Sequence, residues 1–214
     1  MSTKPAPAIS RSLWVLSIFY GGMVVIAGVL GNKQVALPGS LAVEAGIFAF
    51  LMLVITSSAV AEMHGRGVAN KLVLFGFIPL VASMALILIV LQIPASPQME
   101  AERLAGFQLV LGQSPRLMVA GIIAYGTSTL LNVTIISRLK RESGRFLWLR
   151  AAIASIVSQI VDTLLFITIA FYDVFPIGEL LVGQMIAKVV LSAVMVPPLI
   201  YVFIGIGRWL DSRS

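Results

Sequence analysis

The sequence predicts an all-α membrane protein with six transmembrane helices in one domain, and three observations carry that prediction. The chain is 59% hydrophobic and only 11% charged, with a mean hydropathy of +1.02, whereas a soluble domain is about a quarter charged. Apolar runs of about 20 residues, enough to cross about 30 Å of hydrocarbon at about 1.5 Å per residue, recur along the whole length. Basic residues gather in alternate connections between those runs, where orientation signals belong. Alternating strands of a membrane β-barrel are absent from the pattern. The chain has no cysteine, which excludes disulfides, a thiol nucleophile and Cys-ligated metal.

The spans are expected at 13–31, 41–61, 70–92, 116–137, 151–172 and 177–207, between an amino-terminal tail 1–12 and a carboxy-terminal tail 208–214. The first run is too long for a signal h-region and lacks a small-x-small cleavage site, so it reads as a permanent span. Asn32 and Lys33 close it, Glu44 opens the second, and "SSAVAEMHG" ends the second with Glu62 and the only histidine, His64. After the third span, the connection 93–115 contains "ERLAGFQLVLG", which fits either a short interfacial helix or a plain loop. The fourth span carries Tyr125 and Asn132. The sequon "NVT" at 132–134 lies inside that span and is discarded as a glycosylation site. "RLKRESGRFLWLR" (138–150) reads as an anchor at anionic headgroups, with Trp148 in an aromatic belt. The sixth span is longer than a bilayer needs, so a tilt or a bend near Pro197-Pro198 is expected.

With both termini cytoplasmic, that side receives Lys4, Arg11, Arg66, Lys71, Arg138, Lys140, Arg141, Arg145, Arg150, Arg208 and Arg213. The opposite side receives only Lys33, Arg103 and Arg116. The net charge of +6 is thereby a topology signal, and no nucleic-acid partner is expected.

The chemistry concentrates in "SIVSQIVDTLLFITIAF" (155–171). Ser155, Ser158, Gln159 and Asp162 are three and four residues apart on one helical face, with Phe166 one turn beyond. Asp162 lies about 18 Å along the helix from Arg150, and an ionised carboxylate near mid-bilayer costs about 2.5–3.5 kcal/mol or more. It therefore needs a partner or a wet cavity. "GQMIAKVVLSAV" puts Gln184, Lys188 and Ser192 on one face of the next, antiparallel span, so Lys188 can meet Asp162. A buried pair that only fixes helix packing is the simple alternative. The accompanying amides and hydroxyls exceed what one salt bridge uses, which favours a polar cavity. Asn32 and Glu44 fit either an interfacial role or ligand contact. Glu62 and His64 form a poor metal site and fit a gate or a plain helix end. No metal or other cofactor is expected, and no enzyme motif or Walker loop occurs.

Three blocks carry a resemblance: "SQIVDTLLFITIAF", "AKVVLSAVMVPPLIYV" and "FQLVLGQSPRLMVAGIIAYGTSTLLNVTIISRLK". Over residues 20–205 or so, the chain resembles bacterial queuosine-precursor transporters, also called the vitamin uptake transporter family. The resemblance implies uptake of 7-cyano-7-deazaguanine, with 7-aminomethyl-7-deazaguanine as a second candidate, across the inner membrane. It also implies a six-helix bundle like the S-components of energy-coupling-factor transporters. The family's Ser-Gln-x-x-Asp-Thr signature falls on Ser158, Gln159, Asp162 and Thr163, and its sixth-span Lys on Lys188. The Pro-Arg before the fourth span falls on Pro115 and Arg116, a later Tyr on Tyr125, and the Arg before the fifth span on Arg150. At the end of the second span, where many relatives carry Asp in an Asp-x3-Glu-x-Tyr-Gly pattern, this chain has Ser58, Glu62, His64 and Gly65.

The expectation is a multi-pass carrier, not an enzyme, with a 7-deazaguanine nucleobase and the lipid bilayer as partners and a homodimer left open. Substrate-binding candidates are Asp162, Gln159, Lys188, Gln184, Ser158, Asn132, Tyr125, Phe166 and Asn32; gating or coupling candidates are Glu62, His64 and Arg150. Two rivals remain: a substrate-capture subunit of an ATP-driven vitamin importer, and a non-transporting assembly protein. The first needs a docking stripe of small residues, for which Ala120, Ala124 and Ser128 are suitably spaced.

Overall fold

The computed structural model describes residues 10–37, 41–112, 115–140, 146–173 and 178–213. Six helices are long and apolar enough to cross a membrane: α1 (Arg11–Leu30), α2 (Gly46–His64), α3 (Arg66–Gln92), α5 (Pro115–Arg138), α6 (Leu147–Phe171) and α7 (Gly178–Ser212). A seventh, α4 (Ala101–Leu111), lies between α3 and α5. It buries no side chain, so of the two readings of this connection the helical one holds.

α1 begins where Ser10 caps it, its hydroxyl accepting from the Leu13 amide at 3.3 Å. Past Leu30 the chain makes a hairpin, β1 (Gln34–Leu37) against antiparallel β2 (Leu41–Glu44), with Gln34 opposite Glu44 and Leu37 opposite Leu41. The expected second span began at 41; residues 41–44 are instead strand, and the span starts at Gly46. Leu41–Glu44 is apolar enough to pass for a helix start, but it pairs with Gln34–Leu37 and satisfies its backbone there.

α2 is apolar all round and is the most buried span. Ser57, Ser58, Ala59 and Ala61 let neighbouring backbones approach closely, and α1, α3, α5 and α7 surround it. A single residue, Gly65 at φ +86°, joins α2 to α3, a left-handed position that glycine adopts without a Cβ penalty. α5, α6 and α7 pack in sequence. α6 starts one turn earlier than the expected 151, which brings Arg150 inside the helix, and α7 stays helical through Pro197 and Pro198 to Ser212. Residues 11–12 and 208–212 are helical. Arg141 and Arg145 of the basic turn, and Lys4, lie outside the described residues.

The exposed apolar side chains, among them Phe75, Ile78 and Ile89 on α3 and Val190, Val194 and Val202 on α7, suit hydrocarbon. Ala120, Ala124 and Ser128 are buried, so that stripe serves internal packing.

Candidate functional site

The described helices line a cavity of about 230 Å³ at the end of the bundle that carries the hairpin. Its walls come from the late turns of α1 and α3, the early turns of α2 and α5, and facing positions of α6 and α7, with Val110 and Leu111 of α4 adding to the rim. Most of the lining is apolar, including Val24, Phe50, Met84 and Ile122. The polar groups in it are few: Asn32, Glu44, Ser83, Tyr125, Asp162 and Lys188.

Asp162 on α6 and Lys188 on α7 meet, with Lys188 Nζ donating to Asp162 Oδ2 at 3.3 Å. Both are at least nine-tenths buried, so each charge has the partner that its burial demands. Ser128 Oγ lies 3.2 Å from Asp162 Oδ1 and 2.6 Å from the Ala124 carbonyl. Its single proton is divided among three acceptors, the third being the Tyr125 carbonyl at 3.3 Å, which leaves Oδ1 with capacity to spare. Tyr125 is fixed from two sides: its hydroxyl meets that of Tyr20 at 2.8 Å, and Phe77 packs edge-on against its ring at 5.1 Å. Phe166 also lines the cavity. At the rim, Asn32 donates to the carbonyls of Gly28 and Val29, capping α1. Gln184, one turn from Lys188, donates to Glu44 at 3.2 Å.

Gln159, Ser158 and Asn132 do not line the cavity; they are fully buried on the side of Asp162 away from the hairpin. Asn132 donates to Ser58 at 2.8 Å, and Ser158 donates to the Ser155 carbonyl. Both side-chain polar atoms of Gln159, together with Ser155 Oγ, Ser192 Oγ and Asn132 Oδ1, have no hydrogen-bond partner among the described residues. Beyond them, at the end opposite the cavity, Glu62 takes Arg150 at 3.3 Å and Lys140 at 3.4 Å. His64 joins a different cluster: its Nε2 is 2.9 Å from Ser12 Oγ, which donates to Asp211 at 2.7 Å. No group of side chains suited to a metal ion occurs among the described residues.

Five of the sequence candidates therefore line one cavity, Gln184 stands behind its wall, and Gln159, Ser158 and Asn132 form a closed layer beneath it. Sequence reasoning missed Ser128 as a partner of Asp162, Tyr20 as the support of Tyr125, and Lys140 beside Glu62. Arg116 was placed only by its motif; it donates to the carbonyls of Ile169 and Tyr172 at the end of α6, where a cation satisfies both the orphan carbonyls and the helix dipole.

Residues 44–202, which contain every cavity residue of α2, α3, α5, α6 and α7, match the family described as "Putative vitamin uptake transporter". The chain belongs to that family. It is also similar to the "Probable queuosine precursor transporter" of Bacillus subtilis (strain 168), at 27% identity over 188 residues, which cover 85% of this chain and 80% of that protein. No solved structure matches. As a member of the vitamin uptake transporter family with six spanning helices, the chain is a multi-pass membrane transporter and not an enzyme.

Proposed function

We propose that this protein takes up queuosine precursors, 7-cyano-7-deazaguanine and its 7-aminomethyl analogue, across the bacterial inner membrane by alternating access. The observation that carries the reading is the Asp162–Lys188 pair lining an otherwise apolar cavity beside Tyr125 and Phe166. A 7-deazaguanine offers N1–H and an exocyclic amine as adjacent donors, which the Asp162 carboxylate accepts together. Its O6 accepts from Lys188, and its flat ring packs against Tyr125 or Phe166. The volume of about 230 Å³ lies just below the about 300–1,000 Å³ of common small-molecule clefts, which suits a compact base.

The excess of basic residues at the end holding both termini orients that end to the cytoplasm. The cavity then opens outward, and the layer from Gln159 and Asn132 to the Glu62–Arg150–Lys140 cluster is the closed inward half. In this reading Glu62 and Arg150 form the inner gate. His64, through Ser12, holds the inner ends of α1, α2 and α7 together.

The test is the thermal stability of purified protein in detergent against both deazaguanines, guanine and several vitamins. A ligand bound only by the folded state stabilises it by about 2.7 kcal/mol at a hundredfold excess over Kd. A rise with the deazaguanines that is lost in Asp162→Asn supports the assignment. A rise with a vitamin alone replaces the substrate, and no rise with any ligand refutes the purine site.

A further inference from the structure

The cavity holds more negative charge than the Asp162–Lys188 pair accounts for. Its charged lining residues are Glu44, Asp162 and Lys188, so two carboxylates face one ammonium. Lys188 is already engaged by Asp162 at 3.3 Å, and no ion pair involves Glu44 among the described residues. Glu44 ends β2 two residues before α2 begins, with Val43 and Ala45 buried on either side. The hairpin thus holds its carboxylate at the cavity wall.

A second observation concerns Gln184. It is 97% buried, since only 3% of it is exposed, and its Nε2 donates to Glu44 Oε1 at 3.2 Å. Only the amino side of an amide can face a carboxylate, so Glu44 fixes the orientation of the group. Gln184 Oε1 is left buried with no partner among the described residues, although a buried acceptor ordinarily has one. Gln184 stands behind the wall, so it is the Glu44 carboxylate, held from that side by the amide, that presents acceptor oxygens alone to the cavity. Such a site takes a ligand that brings a positive charge and several N–H donors.

We propose that Glu44, oriented by Gln184, is a cation-accepting subsite that makes the cavity prefer a deazapurine bearing a primary ammonium over a neutral one with the same ring. This rests on the purine reading of the Asp162 end of the cavity. An aliphatic amine near the usual pKa of about 10 is protonated at neutral pH, so the aminomethyl arm carries a full charge. A nitrile in its place is an acceptor only, and faces Glu44 without a donor. The simpler role for the Glu44–Gln184 bond, fastening the hairpin to α7, predicts loss of stability but no selectivity.

The experiment measures Kd by isothermal titration on the full chain in detergent for three ligands: 7-aminomethyl-, 7-cyano- and 7-methyl-7-deazaguanine. The methyl compound is the neutral counterpart of the aminomethyl one. In the wild-type protein the aminomethyl ligand binds about tenfold or more tightly than either neutral ligand, as a charge-assisted hydrogen bond allows. In Glu44→Gln that ratio collapses to about twofold or less, whatever happens to absolute affinity. Equal affinity for all three ligands in the wild-type protein overturns the proposal while leaving the purine site standing, as does a Glu44→Gln protein that keeps its ratio. If Glu44→Gln does not fold, the wild-type comparison of aminomethyl with methyl decides alone. Failure of all three ligands to bind folded wild-type protein removes the purine reading and this inference with it.

Discussion

Removing one member of the Asp162–Lys188 pair separates a packing role from a binding role. The charges sit 3.3 Å apart, with the Lys188 side chain 6% exposed and that of Asp162 11%. At an effective dielectric of about 20 their attraction is about 5 kcal/mol, most of which offsets the cost of taking both from water. Lys188→Met leaves the carboxylate buried with only the divided proton of Ser128, and such uncompensated burial costs about 3–5 kcal/mol. Asp162→Asn strands the ammonium in the same way. The double variant Asp162→Asn/Lys188→Met removes both charges and should be more stable than either single variant, because two neutral groups of similar shape lose little. Unfolding free energies of the four proteins in detergent give the coupling directly. Ligand titration of the double variant supplies the second readout, for which the expected result is a folded protein that no longer binds deazaguanine. A double variant that is stable and binds normally would reduce the pair to helix packing. Additive losses in the two singles would show that the charges do not interact at all.

Gln159→Leu removes two buried polar atoms that lack partners among the described residues; stability should hold or rise, while uptake into vesicles drops, since the inward half loses a group that substrate or water would meet. Gly76→Ala places a Cβ 2.5 Å from the Tyr125 hydroxyl and 2.7 Å from the Tyr20 ring, so a loss of about 1–3 kcal/mol is expected in chemical unfolding. Glu62→Gln takes the carboxylate from both Arg150 and Lys140; with Arg150 buried, the predicted cost is about 3–5 kcal/mol, whereas Lys140→Gln, at a pair 42% exposed on the lysine side, should cost less than about 1 kcal/mol. Comparing the two melting curves checks that difference.

The six spans were legible because a bilayer-crossing helix needs a long apolar run, which few other structures tolerate. The hairpin was not, because its strands are four residues each and the apolar residues of β2 run straight into α2. Pro38-Gly39 marks a turn in the sequence, but hydropathy across 41–61 outweighs it. That error of register also left Glu44 open between an interfacial role and ligand contact, whereas it stands at the wall of a cavity. Asp162 and Lys188 could be paired on paper since both lie on polar faces of consecutive antiparallel helices. Ser128 and Tyr20 could not. A serine or tyrosine in an apolar span is common, and only the packing of α5 against α6 and of α1 against α3 and α5 reveals what each one touches.

The bond between Ser12 and Asp211 joins positions 199 residues apart. During synthesis, α1 enters the membrane first and has no hold on α7 until the far end of that helix has been made. Ser12, which ends fully buried, must wait with its hydroxyl in water or against His64. The inner end of α1 is thus fastened to α7 only once the last turns of that helix have been made.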